Sequence, residues 1–249
     1  MAEPKPGQGS PLGRDGDEAS TGSAVRRMFA AVAPRYDFLN HFLSVGRDIA
    51  WRRATAHALR GVLSVPGSRV ADLCCGTGDL TFCLARYSRG TVVGADFCRP
   101  MLTLARYKSL SQGARVSFVE TDALVLPFAD ASLDAVTSAF GFRNLANYAR
   151  GIEEMRRVLK PGGRLAILEF SQVRWPIFGP LFRLYFRHVL PRLGGWISGT
   201  QGPYRYLPES VAQFPDREAL AGGLRAAGFR DVRYVNFTGG IAALHTAIL

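Results

Sequence analysis

The chain has no run of about 18 or more apolar residues, so no segment has the length and polarity of a membrane-spanning helix. Its first stretch, MAEPKPGQGSPLGRDGDEASTGS, lacks the apolar centre of a secretion signal and is not an Arg-rich amphipathic transit peptide. Export and membrane insertion are therefore not expected. Cysteine is scarce. The four, Cys74, Cys75, Cys83 and Cys98, share one short stretch with no Cys-x-x-Cys pair and no adjacent His, which disfavours a disulfide framework and the common zinc sites. They read as reduced, mostly buried thiols of a cytoplasmic protein, and no metal is expected. Acids are also in deficit, 20 Asp and Glu against 31 Lys and Arg, for a formal charge of +11. Such a surface favours nucleic acid, an anionic membrane face or an acidic substrate without choosing among them.

What is present is enough for one folded domain: 249 residues, 47% hydrophobic and 20% charged. Residues 1–23 are Pro, Gly, Ser and charge, and they read as a disordered leader. From Val25 a helical period sets in through Met28, Phe29 and Val32, breaks at Pro34, and resumes through Trp51, Ala54, Ala58 and Leu59. Residues 24–64 are thus expected as a helical cap. Short apolar runs then alternate with helical segments. Strands are predicted at Arg69–Cys74, Thr91–Ala95, Val116–Glu120, Leu133–Phe140 and Arg164–Phe170, with helices at Asp79–Tyr87, Met101–Leu110 and near Ile152–Leu159. That rhythm predicts a parallel α/β sheet covered on both faces. A helix over Arg217–Ala227 and two β-like runs around Thr238-Gly239-Gly240 predict a closing hairpin. No internal repeat is found.

The first strand runs through Asp72 into Cys74-Cys75-Gly76-Thr77-Gly78-Asp79 and then a helix. Glycines there sit where backbone approaches a ligand at a strand's carboxyl end. The third glycine of a dinucleotide fingerprint is missing, because Thr81 stands in its place. S-adenosylmethionine carries no pyrophosphate. It needs open backbone near Gly76 and Gly78 and acidic acceptors for its ammonium and ribose hydroxyls, for which Asp72 and Asp96 are the candidates. Asp96 ends the second strand close to the offset at which an acid reaches a ribose, with a helix N-cap as its structural alternative. Asp122 follows the third strand, where an acceptor would meet an adenine amino group while the small Ala123 admits the ring.

Longer strings make the pattern specific. Phe29-Ala-Ala-Val-Ala-Pro-Arg-Tyr36-Asp37-Phe-Leu-Asn40, with Leu43-Ser44 and Trp51, resembles the first signature of the ubiquinone/menaquinone biosynthesis C-methyltransferases, and Arg157 through Ser171 resembles the second. Phe140-Gly-Phe-Arg143-Asn144, Tyr204-Arg205-Tyr206-Leu207 with Ser210, and Thr238-Gly239-Gly240 with Ala243-Leu244-His245 are similar to that family too. The likeness spans nearly all of Val25 to Leu249. It implies a Rossmann-like class I methyltransferase with a seven-stranded, mostly parallel sheet. Thr77, Asp96, Asp122 and Ala123 would be contacts for S-adenosylmethionine. Departures are Leu39 where Met is frequent, Asp48 where His is frequent, Cys74 and Cys75 where small residues are usual, and Ala139 where some members have a cofactor-touching Ser. The last leaves one hydrogen bond at Ala139 open.

The resemblance implies methylation of a ring carbon in an isoprenoid quinol, most simply demethylmenaquinol, with a ubiquinone precursor as an open second acceptor. Attack on the methyl group needs electron density at that carbon, so the neighbouring phenol must lose or share its proton. Arg143 and Asn144 are the polar candidates to stabilise a phenolate oxygen or hold a water. Tyr36 is a third candidate by resemblance, against a purely structural Tyr. His188 and His245 read more simply as surface or core residues.

Residues 171–210 break the α/β rhythm with eight aromatics, five arginines and no acid between Arg174 and Tyr206. This insertion suits a lid over an isoprenoid tail, contact with an anionic face of the inner membrane, or a plain cover for the sheet. A nucleic-acid methyltransferase is the enzyme alternative, disfavoured because no Asn/Asp-Pro-Pro-Tyr/Phe string follows the fourth strand and no cysteine follows the third. A non-catalytic quinone-binding subunit of the same fold is the other. Oligomeric state is not legible.

Overall fold

The computed structural model describes residues 9–12, 17–173 and 202–249. Most of the insertion expected at 171–210, including His188, lies outside the described residues.

The cap is built from α1 (Glu18–Val32), α2 (Tyr36–Leu43), α3 (Arg47–Ala58) and the single turn α4 (Arg60–Leu63). The expected leader boundary at residue 23 is corrected: residues 18–23 belong to α1. The side chain of Asp17 accepts hydrogen bonds from the backbone N–H groups of Ala19 and Ser20, satisfying donors that a helix start leaves orphaned. Glu18 then holds Arg150 and Asn147, so the polar first turn is fixed by partners rather than by apolar burial.

The core alternates β1 (Arg69–Leu73), α5 (Asp79–Ala85), β2 (Thr91–Asp96), α6 (Arg99–Gln112), β3 (Ser117–Glu120), β4 (Leu133–Ala139), α7 (Tyr148–Val158) and β5 (Leu159–Phe170). Two further helices, α8 (Gly202–Gln213) and α9 (Arg217–Ala226), lead to β6 (Arg230–Phe237) and β7 (Ala242–Ile248). The seven strands form one sheet in the order β3-β2-β1-β4-β5-β7-β6. The first five are parallel, and β7 inserts antiparallel between β5 and β6. The closing hairpin thus pairs as expected.

Strand parity divides the core, since successive side chains point to opposite faces. Ala71, Leu73, Val136, Leu165 and Ile167 pack with α7 and α9 residues Ile152, Met155, Leu220 and Leu224. Val70, Ala135, Ala166 and Leu168 pack with Trp51, Leu59, Leu63, Leu80 and Leu84 from α3, α4 and α5. A smaller cluster of Val32, Ala33, Cys98 and Met101 ties the cap to α6. Between β1 and β4 the order reverses direction, which opens a crevice at the carboxyl ends of these strands.

Candidate active site

A cleft of about 760 Å³, counting its open mouth, lies at that reversal. Its walls include Phe29 and Tyr36 from the cap, Cys74 and Gly76 after β1, and Asp96 after β2. Asp122 and Ala123 follow β3, and Phe140, Gly141 and Asn144 follow β4. Glu18 and Gly22 of α1 close one side.

The loop after β1 is shaped by its glycines. Gly78 has φ +90°, and a Cβ there would sit 2.9 Å from the Phe82 ring. Gly76, at φ +55°, would meet only Tyr36, at 3.8 Å, so its backbone is open towards the cleft. Cys74 and Phe140, at the ends of adjacent strands, hold φ of +53° and +59° without being glycine. Such strain costs on the order of 1 kcal/mol each and gathers at binding sites.

Asp96 is buried, and its carboxylate accepts from the backbone N–H groups of Gly76 and Cys98, both at 2.8 Å. Burial pushes its pKa up to about 6 despite those bonds. Asp122 accepts from the Leu124 N–H at 2.9 Å and shares the wall with Ala123. A buried carboxylate beside open backbone, next to an acid and a small residue on the following strand, fits a nucleoside-bearing ligand such as S-adenosylmethionine.

Asp72, expected as a cofactor acceptor, lies outside the cleft lining. Its side chain is fully buried and accepts from the hydroxyls of Thr81 at 2.7 Å and Thr137 at 2.9 Å, which pins α5 and β4 to β1. Burial raises its pKa to about 6 as well. Thr77 is also buried and away from the cleft wall: its hydroxyl donates to Asp37 and lies 3.3 Å from Lys108 Nζ. Gly78 shapes the turn from behind, and Ala139 lies within β4. The structure therefore brings Gly76, Asp96, Asp122 and Ala123 together, and leaves Asp72, Thr77, Gly78 and Ala139 outside the lining.

Tyr36 and Asn144 face the cleft, whereas Arg143 sits behind it. Arg143 is buried and donates to Glu169 Oε1 at 2.9 Å and to the Phe140 carbonyl, and its backbone N–H meets Glu169 Oε2. Its Nε has no hydrogen-bond partner among the described residues. Its charge lowers the pKa of Tyr36, but burial outweighs it and the phenol stays above its ordinary value. Tyr36 is thus a neutral hydroxyl at neutral pH.

Three groups escaped the sequence reading. Glu169 stands in the second signature but was given no role, and it is the counter-charge that makes a buried Arg143 tenable. Tyr206 donates to Asn144 Oδ1 at 2.8 Å and contacts Ser10 Oγ at 2.7 Å. Asp37 and Asp79 both hold Lys108, while Asp48 holds His41 and Arg52, a network joining the cap to the loop after β1. His41, Asp48 and Asp79 place possible ligand atoms within 4.8 Å of one another. Arg52 and Lys108 already supply cations to those carboxylates.

Strand order and cleft together are those of the Rossmann-like class I methyltransferase fold. A solved S-adenosylmethionine-dependent methyltransferase of Thermotoga maritima superimposes with a TM-score of 0.62 at 17% identity, covering 90% of this chain and 99% of its own, a likeness of fold. Residues 17–249 match the model of the ubiE/COQ5 methyltransferase family, and the chain belongs to that family. The demethylmenaquinone methyltransferase of Deinococcus radiodurans is 52% identical over 92% of this chain and 94% of its own length. That of Thermus thermophilus is also 52% identical, over 88% and 98%.

Proposed function

We propose that the protein transfers the methyl group of S-adenosylmethionine to a ring carbon of demethylmenaquinol, completing menaquinol. The observation that carries this is the near end-to-end relation, at 52% identity, to two proteins named for that reaction. The cleft supports it with a buried acceptor at Asp96 and an aromatic, largely uncharged wall of Phe29, Tyr36 and Phe140.

When bound, S-adenosylmethionine supplies an electrophilic methyl group. Asp96 accepts from the ribose hydroxyls, the open backbone at Gly76 accommodates the amino-acid end, and Asp122 with Ala123 receives the adenine. Thr77, Gly78 and Asp72 act on the cofactor through the shape of the loop, and the Ala139 position leaves out the hydroxyl that some relatives carry.

Tyr36 donates a hydrogen bond to a quinol oxygen and Asn144 holds the same ring. A water held beside Arg143 takes the phenol proton, Arg143 stabilises the developing phenolate charge that raises electron density at the ring carbon, and the proton on that carbon is lost to solvent as the ring rearomatises. Glu169 keeps that cation in place. The aromatic walls exclude water, which strengthens these interactions.

Residues 171–210 cover the isoprenoid tail in this proposal, and the protein works in the cytoplasm in peripheral contact with an anionic membrane face. No metal takes part and no nucleic acid is bound. No helix among the described residues is long and apolar enough to cross a membrane.

The test is to incubate purified protein with radiolabelled S-adenosylmethionine and, separately, demethylmenaquinol, a demethylated ubiquinol precursor and bulk RNA. Label on the naphthoquinol supports the proposal, and label on both quinols widens it to two pathways. Label on RNA alone, or cofactor binding with no transfer, overturns it.

A further inference from the structure

Many of the surface cations are answered by acids. Arg99 meets Glu120, Arg150 meets Glu18, Arg157 meets Glu154 and Asp130, and Lys160 meets Asp134, at 2.6–2.8 Å. One face differs. Arg47 at the start of α3, Arg53 on its outer side, Arg60 on α4, and Arg86 and Arg89 at the exit of α5 are exposed, and none makes an ion pair among the described residues.

The stretch 40–96 holds four acids, Asp48, Asp72, Asp79 and Asp96. Three are buried, and Asp79 is held by Lys108 and Arg52. No carboxylate of this stretch is left to offset the five arginines.

Arg53, Arg60, Arg86 and Arg89 lie on elements that contact one another. Arg53 and Arg86 both pull the Cys83 thiol's pKa down against the burial that raises it, so both lie near that thiol. The His57 and Tyr87 rings lie 5.4 Å apart, and the Arg89 N–H donates to the Leu63 carbonyl at 2.9 Å, joining α3, α4 and the loop after α5. Apolar side chains stand exposed among the cations: Val45 at 85%, Val65 at 52%, Ile49 at 42% and Tyr87 at 36%.

Cations alone would suit any polyanion. Cations mixed with exposed aliphatic and aromatic side chains suit a lipid headgroup layer, where the apolar groups enter the acyl boundary while the arginines meet phosphates. Nucleic acid offers Ile49, Val45 and Val65 no such phase. The inner face of the same helix α3 carries Trp51, whose ring lies 6.0 Å from Phe140 on the cleft wall. A surface that binds lipid through α3 therefore sits about one helix diameter, roughly 10 Å, from the cleft.

We infer that the α3–α5 face docks the protein on an anionic lipid surface. This deepens the proposed quinol activity and rests on it for its purpose, since an isoprenoid-tailed substrate resides in that phase.

The experiment is flotation of the full chain with phosphatidylcholine vesicles and with mixed phosphatidylcholine and phosphatidylglycerol vesicles, at low and high salt. The wild type is expected to float with the mixed vesicles alone, and less at high salt. Arg53→Glu with Arg60→Glu and Arg86→Glu is expected to lower partitioning on the order of 100-fold, from a few-fold per cation. Arg115→Glu with Arg225→Glu and Arg233→Glu alters net charge equally on other surfaces and should retain binding. Ile49→Ser with Val65→Ser should weaken it at unchanged charge. Both triple variants should keep the wild-type melting profile and activity on a short-tailed, soluble quinol. Equal loss in the two triple variants, or no flotation of the wild type, overturns the inference. Intact flotation with no methylation of any quinol would instead sink the proposed activity.

Discussion

At the cleft wall, Arg143 and Glu169 form a buried ion pair, and such a pair is costly to break from one side. Glu169→Gln leaves a buried guanidinium without its counter-charge and should lower stability by about 3 kcal/mol, read as a shift of the denaturation midpoint with unchanged slope. An unchanged midpoint would mean that Arg143 is solvated rather than held. Tyr206 acts one bond further from the ring. Tyr206→Phe removes the hydroxyl that fixes Asn144 Oδ1, a loss of about 1 kcal/mol. The expected result is a roughly fivefold lower kcat with the KM for S-adenosylmethionine unchanged; a changed cofactor KM and constant kcat would assign Tyr206 to the cofactor side. Asp96 was legible because a strand end and its offset from the glycines define its place. The place of Asp72 beneath the loop was not legible until parity was applied to it: it shares the face of Val70, which packs with α5, and its carboxylate meets Thr81 there. The Tyr206 contact joins residues 62 apart to Asn144 and 196 apart to Ser10, and no local pattern signals it.

At the scale of elements, α1 shows why a polar sequence can still be a helix. Asp17, Glu18, Thr21 and Gly22 carry little apolar surface, yet Asp17 caps the helix, Glu18 reaches Arg150 and Asn147, and Thr21 is buried. Composition alone therefore extended the leader too far. The strands and the helices between them were legible within a few residues because each apolar run has one parity or period. Removal of residues 1–8 should leave cofactor binding unchanged. Removal of residues 1–23 takes away the cap, the Glu18 contacts and two cleft-lining positions, Glu18 and Gly22. It should lower Tm by several degrees, as about 1–2 kcal/mol for a lost N-cap implies, and raise the Kd for S-adenosylmethionine. Calorimetric binding to both truncations decides it: equal affinities would show that α1 is not part of the cofactor wall.

For the whole molecule, ligand binding and protonation are linked through Asp96. Its folded pKa of about 6 lies above the ordinary carboxyl value of 3.8 because burial disfavours the charged form. The stability it contributes is therefore fully present below 3.8 and is lost as pH rises through about 6, and Asp72 adds a contribution of the same sign. At neutral pH the free protein holds a poorly solvated carboxylate at the cleft. A ligand whose hydroxyls donate to that carboxylate binds the ionised form best, so S-adenosylmethionine should bind more tightly as pH rises through about 6. At a hundredfold excess over Kd, binding stabilises the fold by about 2.7 kcal/mol, or roughly 5–10 °C in Tm for a chain of this size. That shift should be full at pH 7.5 and shrink markedly by pH 5 at the same ligand concentration. In Asp96→Asn, hydrogen bonds to a charged acceptor are lost, affinity should fall about 10- to 100-fold, and the remaining shift should not vary over this pH range on account of residue 96. A wild-type shift that is flat from pH 5 to 7.5 would remove Asp96 from the cofactor contacts, whereas a pH dependence that survives in Asp96→Asn would move the titrating group elsewhere in the cleft.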